Sequence, residues 1–285
     1  MTPDAPQDAL RAGVLVDPVA LAAELAGDEA PVLLDVRWAL GRADGHERYL
    51  DEHLPGAVYV DLERELAAPA SPERGRHPLP DVAALEAAAR RWGVREGGRV
   101  VAYDDVGGTS AARAWWLLRW AGLRDVRLLD GGLAAWRDRG LALEAGVVVP
   151  EPGDVVLAPG SLPTTDADGV AAWSGVVLDA RAPERFAGET EPVDPRAGHV
   201  PGALSAPTAG NLGSDGAFLP APVLRDRYAA LGATGGRPVA VYCGSGVTAA
   251  HDVAALASIG VDAVLYPGSW SQWSHDPSRP VATGR

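Results

Sequence analysis

Four landmarks occur twice in this chain, in the same order and about 140 residues apart, and nothing else in it restricts the fold as strongly. Val32-Leu33-Leu34-Asp35-Val36-Arg37 returns as Val176-Val177-Leu178-Asp179-Ala180-Arg181, and Glu52-His53-Leu54-Pro55-Gly56-Ala57 as Gly198-His199-Val200-Pro201-Gly202-Ala203. Val100-Val101-Ala102-Tyr103-Asp104 returns as Val239-Ala240-Val241-Tyr242-Cys243, and Gly131-Gly132-Leu133-Ala134-Ala135-Trp136 as Pro267-Gly268-Ser269-Trp270-Ser271-Gln272-Trp273. A period this long describes a duplicated domain rather than a solenoid. Within the first half, apolar runs at Leu33–Val36, Val100–Tyr103 and Val126–Leu129 read as strands. Helical patterns at Asp81–Trp92, capped by Asp81, and Ser110–Trp120 lie between them, with Gly93 and Gly122 as stop signals. Strand and helix alternation of this kind predicts an α/β fold: two tandem domains, each a parallel sheet flanked by helices. The Pro-, Gly- and Val-rich stretch 144–163 is the expected linker between a first domain, 1–143, and a second, 164–285. Trp115, Trp116 and Trp120, at helical spacing, are expected to pack in the core or between the halves.

The formal net charge of −13 argues against binding nucleic acid or an anionic membrane surface, either of which needs a basic face. All 25 basic residues are arginine, so Schiff-base chemistry and a lysine-bearing phosphate loop are excluded, and anions must be met by guanidinium forks or backbone amides. Cys243 is the single cysteine, which rules out an intrachain disulfide. The six histidines show no paired ligand spacing, and no metal or organic cofactor is expected. No apolar run reaches membrane-spanning length, and the first ten residues lack the basic start of a secretion signal, so a cytoplasmic location is expected.

The chemistry concentrates at the third landmark of the second half. Val239–Tyr242 reads as a buried strand, Gly244-Ser245-Gly246 as a tight loop, and Val247–Ala257 as a helix. Cys243 therefore stands at the carboxyl end of a central strand, where open α/β sheets hold their ligands. Amides of such a loop point inward and the helix end adds positive partial charge, so Cys243 is placed as a nucleophile. Cys-Gly-Ser-Gly-Val-Thr-Ala resembles the active-site loop of the two-domain rhodanese-like sulfurtransferases, in the 3-mercaptopyruvate branch, and the likeness extends over nearly the whole chain. Thiosulfate-preferring relatives tend to carry basic residues where this chain has Gly244 and Ser245.

That resemblance implies a persulfide carried on Cys243 in a loop completed by Gly244, Gly246, Val247 and Thr248, with Ser245 relaying a proton. It implies that Asp104, at the matching position of the first half, makes that half silent in transfer. It implies that Arg185 and Arg196, in a segment with no counterpart in the first half, clamp the carboxylate and keto group of the donor. It also implies that Glu63 and His77 reach across the cleft to Ser245, with Glu63 standing where well-studied members have Asp. The donor is then 3-mercaptopyruvate, or alternatively thiosulfate, and the acceptor a thiol, such as a reduced thioredoxin-like protein, or cyanide. His53 and His199, present in both halves, are expected to be structural, as are the pairs Asp35–Arg37 and Asp179–Arg181. A cysteine phosphatase would need arginine at position 249, where this chain has Ala249. A persulfide carrier that does not turn over alone is the non-enzymatic alternative.

Overall fold

The apolar, β-branched runs become strands and the alanine-rich runs between them become helices, as their periodicity requires. The computed structural model describes residues 5–284. The first sheet contains β1 (Leu15–Val16), β2 (Val32–Asp35), β3 (Val58–Tyr59), β4 (Val100–Tyr103) and β5 (Val126–Leu129), in the order β1-β5-β4-β2-β3. The second contains β6 (Val176–Asp179), β7 (Leu204–Ser205), β8 (Val239–Tyr242) and β9 (Ala263–Leu265), in the order β7-β6-β8-β9. Every pairing is parallel, and the registers match between halves: Leu33 faces Val101 as Val177 faces Ala240. The second half keeps only a bridge, Thr164 to Leu265, where the first has β1.

Asp81 caps the helix Val82–Arg91 by accepting from the amides of Ala83 and Ala84, and Gly93 beyond it takes the left-handed conformation at φ 85°. The strand boundaries agree with the sequence reading to within one residue, and the second-half helix runs Thr248–Ser258. Between Glu144, bridged to His53, and Thr164, the chain forms no helix or strand. It is fastened to the first half by the amides of Gly153 and Val155, which donate to Arg90 and Val94.

In each half the chain switches direction between the strand pairs β2/β4 and β6/β8, so the loops after β4 and β8 lie at the sheets' carboxyl edges. The helix after each loop, Ala111–Trp120 in the first half and Thr248–Ser258 in the second, packs against the other. Trp115 and Trp116 from one and Ala249, Ala250 and Val253 from the other belong to a single continuous core. The two loops are thereby held by one rigid helix pair. Among the described residues no helix is long and apolar enough to cross a membrane.

Candidate active site

Cys243 follows β8 directly and is 2 % exposed. Its sulfur accepts the Gly246 N–H at 3.1 Å, and its own N–H donates to Ser269 Oγ at 3.1 Å. Gly246 has φ 76°, and a Cβ there would come within 2.6 Å of the Pro267 carbonyl, so glycine is needed. The segment after β9 braces the loop: Trp270 N–H donates to the Cys243 carbonyl and Ser271 N–H to that of Gly244. Ser269 adopts φ 53°, the only non-glycine residue with positive φ among those described. An L-residue there carries strain, here accompanied by a hydroxyl that holds the nucleophile's amide.

Ser245 Oγ lies 2.7 Å from Nδ1 of His77, which arrives from the first half. Burial, aided by the charges of Arg113 and Arg76, pushes the His77 pKa from 6.5 down to about 4, so the imidazole is neutral near pH 7. A neutral ring can take the Ser245 proton and return it. Behind this pair sits Arg113, fully buried and without a carboxylate partner. Its guanidinium donates to the carbonyls of Leu66, His77, Pro78 and Gly246, tying the His77 segment to the Cys243 loop. Burial lowers its pKa to about 10, leaving it charged at neutral pH.

Cys243, Gly244 and Ser245 line a cleft of about 200 Å³ between the halves, with Trp38, Leu40, Arg76, Arg181, Arg185, Thr208, Val247 and Thr248. An apolar hollow of about 640 Å³ in the first half, walled by Leu25, Trp92, Trp136 and Pro150, is larger but contains no nucleophile. Chemistry, not size, locates the site.

Arg185 reaches the cleft, with Nε and Nη2 donating to Glu191 and Nη2 also to Asp194 at 3.3 Å. Arg196 does not. Its guanidinium donates to four carbonyls, those of Trp273, Ser274, Asp276 and Arg279, and pins the end of the chain. Four of its five N–H donors are committed there and it does not line the Cys243 cleft, so the expected pairing with Arg185 is corrected. Glu63 is also corrected. It is exposed on the short helix Leu62–Glu65, accepts from Trp38 Nε1 at 3.2 Å, and borders a neighbouring hollow with Arg37 and Arg64. It meets the Ser245–His77 pair only at one remove, since the Trp38 ring stands edge-on to His77 at 5.4 Å. His53 and His199 are buried, with Nδ1 against the carbonyls of Tyr49 and Phe186, and the Asp35–Arg37 and Asp179–Arg181 pairs are formed.

Three contributors were not singled out from sequence. Arg76 had a signal in its position next to His77. Arg113 had one as a lone charge in the apolar run Ala111–Leu118. Ser269 had one as a serine where the repeat has Gly132.

A family model described as a rhodanese-like domain matches residues 18–139 and again 166–276. A Pseudomonas aeruginosa protein named "Probable 3-mercaptopyruvate sulfurtransferase" is 51 % identical over 89 % of this chain and 92 % of its own length. A Mycobacterium tuberculosis protein named "Putative thiosulfate sulfurtransferase SseB" is 49 % identical over 96 % of this chain and 98 % of its own. Among solved structures, the 3-mercaptopyruvate sulfurtransferase SseA of Escherichia coli superimposes with a TM-score of 0.79 at 34 % identity, covering 90 % of this chain and 98 % of that one.

Proposed function

The chain belongs to the rhodanese-like domain family, present here in two copies, and from that premise we propose that it is a sulfurtransferase taking sulfur from 3-mercaptopyruvate. We place the domain boundary within 144–163, leaving a silent domain at 1–143 and a transferring one at 164–285. The Cys243 thiolate attacks the donor sulfur and the carbon–sulfur bond breaks, leaving a persulfide on Cys243 and the enolate of pyruvate. The proton from the donor thiol must reach the enolate carbon, and the Ser245–His77 pair is the relay. The outer sulfur then passes to a thiolate, such as that of a reduced thioredoxin-like protein, or to cyanide, restoring Cys243 in a two-step cycle.

The single observation supporting this donor is the 2.7 Å contact of Ser245 with neutral His77 beside the nucleophile. Thiosulfate releases sulfite and has no carbon to protonate, so it gives such a relay nothing to do. One observation favours thiosulfate as a second donor. Gly244 is uncharged, but Arg76 brings a guanidinium to its side, with Nη2 2.9 Å from where a Gly244 Cβ would stand.

Either donor without acceptor should add one sulfur to Cys243 by mass spectrometry. Ser245→Ala should lower turnover of mercaptopyruvate about a hundredfold and leave thiosulfate within threefold. Equal loss of both donors, or a wild type that uses thiosulfate alone, overturns the donor assignment.

A further inference from the structure

We infer that Arg76, from the half that lacks the cysteine, is the principal receptor for the carboxylate of the sulfur donor, with Arg185 as its minor partner. The inference rests on Cys243 being the nucleophile and deepens the donor reading above. It starts from which guanidinium N–H groups are already committed. Arg185 spends its Nε–Nη2 edge on Glu191, and Nη2 contacts Asp194 as well. Only Nη1 remains, 3.5 Å from where a Gly244 Cβ would stand. Arg76 is committed at one nitrogen: Nη1 pairs with Asp194. Its Nη2 faces Gly244, and its Nε is buried with no acceptor among the described residues. Nε and Nη2 together form one edge of the planar fork, the arrangement that meets a carboxylate with two parallel hydrogen bonds. An orphaned buried donor is costly, and this one belongs to a side chain that lines the same cleft as Cys243.

Asp194 makes this possible. Its side chain is almost wholly buried and bridges Arg76 to Arg185 across the boundary between the halves. It fixes the direction of the free edge of Arg76 and removes freedom that binding would otherwise have to remove. The local charges of Arg76, Arg181 and Arg185 are matched by Asp179, Glu191 and Asp194. The cluster therefore offers a donor carboxylate oriented hydrogen bonds rather than a strong field, and it holds them only while both halves meet.

The test uses two alkylating reagents that differ in charge, because Cys243 is the only thiol. Iodoacetate carries a carboxylate and iodoacetamide is its neutral counterpart. Arg76→Gln should slow iodoacetate about tenfold or more while leaving iodoacetamide within twofold. Arg76→Lys, which keeps the charge but not the fork, should recover part of the loss. Arg185→Gln should have the smaller effect on the ratio. In steady state, Arg76→Gln should raise KM for mercaptopyruvate by a similar factor with little change in kcat. Equal slowing of both reagents would show a merely structural role, and an unchanged ratio would remove Arg76 from recognition; either overturns the proposal. The alkylation ratio does not depend on sulfur transfer. If wild type forms no persulfide yet shows the ratio shift, the transferase reading fails and the receptor stands.

Discussion

After β4 the chain makes a loop of seven residues, 104–110, around a carboxylate; after β8 it makes one of five, 243–247, around a thiol. Asp104 is completely buried, and its two oxygens accept the amides of Val106, Gly108, Ser110 and Ala111 at 2.8–2.9 Å. Burial pushes its pKa up and the four amides pull against that. The first loop is thus an anion nest already filled by its own side chain. In the second loop Gly246 N–H meets the sulfur, whereas the amides of Ser245, Val247 and Thr248 have no acceptor among the described residues. An aspartate oxygen lies two bonds beyond Cβ, and so does the outer sulfur of a cysteine persulfide. The first half therefore displays, with a carboxylate, the arrangement that the proposed persulfide on Cys243 would take up in the second.

The strongest way to break this comparison is to make the loops alike. Cys243→Asp should abolish sulfur uptake, a loss beyond a thousandfold or about 4 kcal/mol of barrier, while the fold survives because Asp104 shows that such loops accept a carboxylate. The converse, Asp104→Asn, should leave turnover within a few-fold. It replaces an acceptor oxygen by an NH2 facing backbone donors, so stability should fall by about 2–3 kcal/mol, read in denaturant melts. A thousandfold loss of turnover in folded Asp104→Asn would show that the Asp104 loop itself takes part in transfer.

Much of this contrast is legible in the sequence, because it rests on local patterns. The strands, the capped helix after Asp81, the duplicated order and the Cys243/Asp104 correspondence follow from apolar runs and from residues adjacent in the chain. What the sequence hides is which long side chains cross between the halves. Arg196 lies in the expected segment, but its competing acceptors, the carbonyls of residues 273–279, become neighbours only on folding. Arg76 reaches Asp194, 118 positions away, and Arg113 reaches Gly246, 133 away. No periodicity reports such contacts. His77, by contrast, is accessible through resemblance, since His77-Pro78-Leu79-Pro80 is similar to the family's segment that reaches across the cleft.

A milder break comes from acid. Each loop is touched by a histidine from the other half: His77 meets Ser245, and His251 Nε2 meets the Gly107 carbonyl at 3.2 Å. Burial lowers both pKa values from 6.5 to about 4. The folded state therefore binds fewer protons than the unfolded chain in this window. Stability should be full above about pH 6.5, fall as pH drops toward about 4, and stop falling from this cause below it. At pH 5 each histidine should cost about 2 kcal/mol. His251→Gln should flatten the slope of Tm against pH between these limits, whatever it does to Tm at pH 7. An unchanged slope would mean that His251 is not held neutral between the halves.

The finest difference is one side chain. Gly132 and Ser269 occupy matching places, with φ 57° and 53°, and the residue after each donates its amide to Asp104 or Cys243 respectively. The first half uses glycine, which accepts that conformation freely. The second uses serine, at a strain of about 1–2 kcal/mol. Its hydroxyl accepts from the Cys243 amide at 3.1 Å and donates to the Tyr266 carbonyl at 2.9 Å. Ser269→Gly should relieve the strain and lose hydrogen bonds worth about 1 kcal/mol each, so stability should change by less than about 1 kcal/mol. Turnover should fall several-fold, because the amide that anchors the nucleophile's backbone loses its acceptor. Ser269→Ala separates the two effects, since it keeps the strain and loses the hydroxyl, and it should be both less stable and as slow as Ser269→Gly. If Ser269→Gly were instead as fast as wild type, the serine would be an accident of the repeat, and the two loops would differ in function only through Cys243 and the arginines above it.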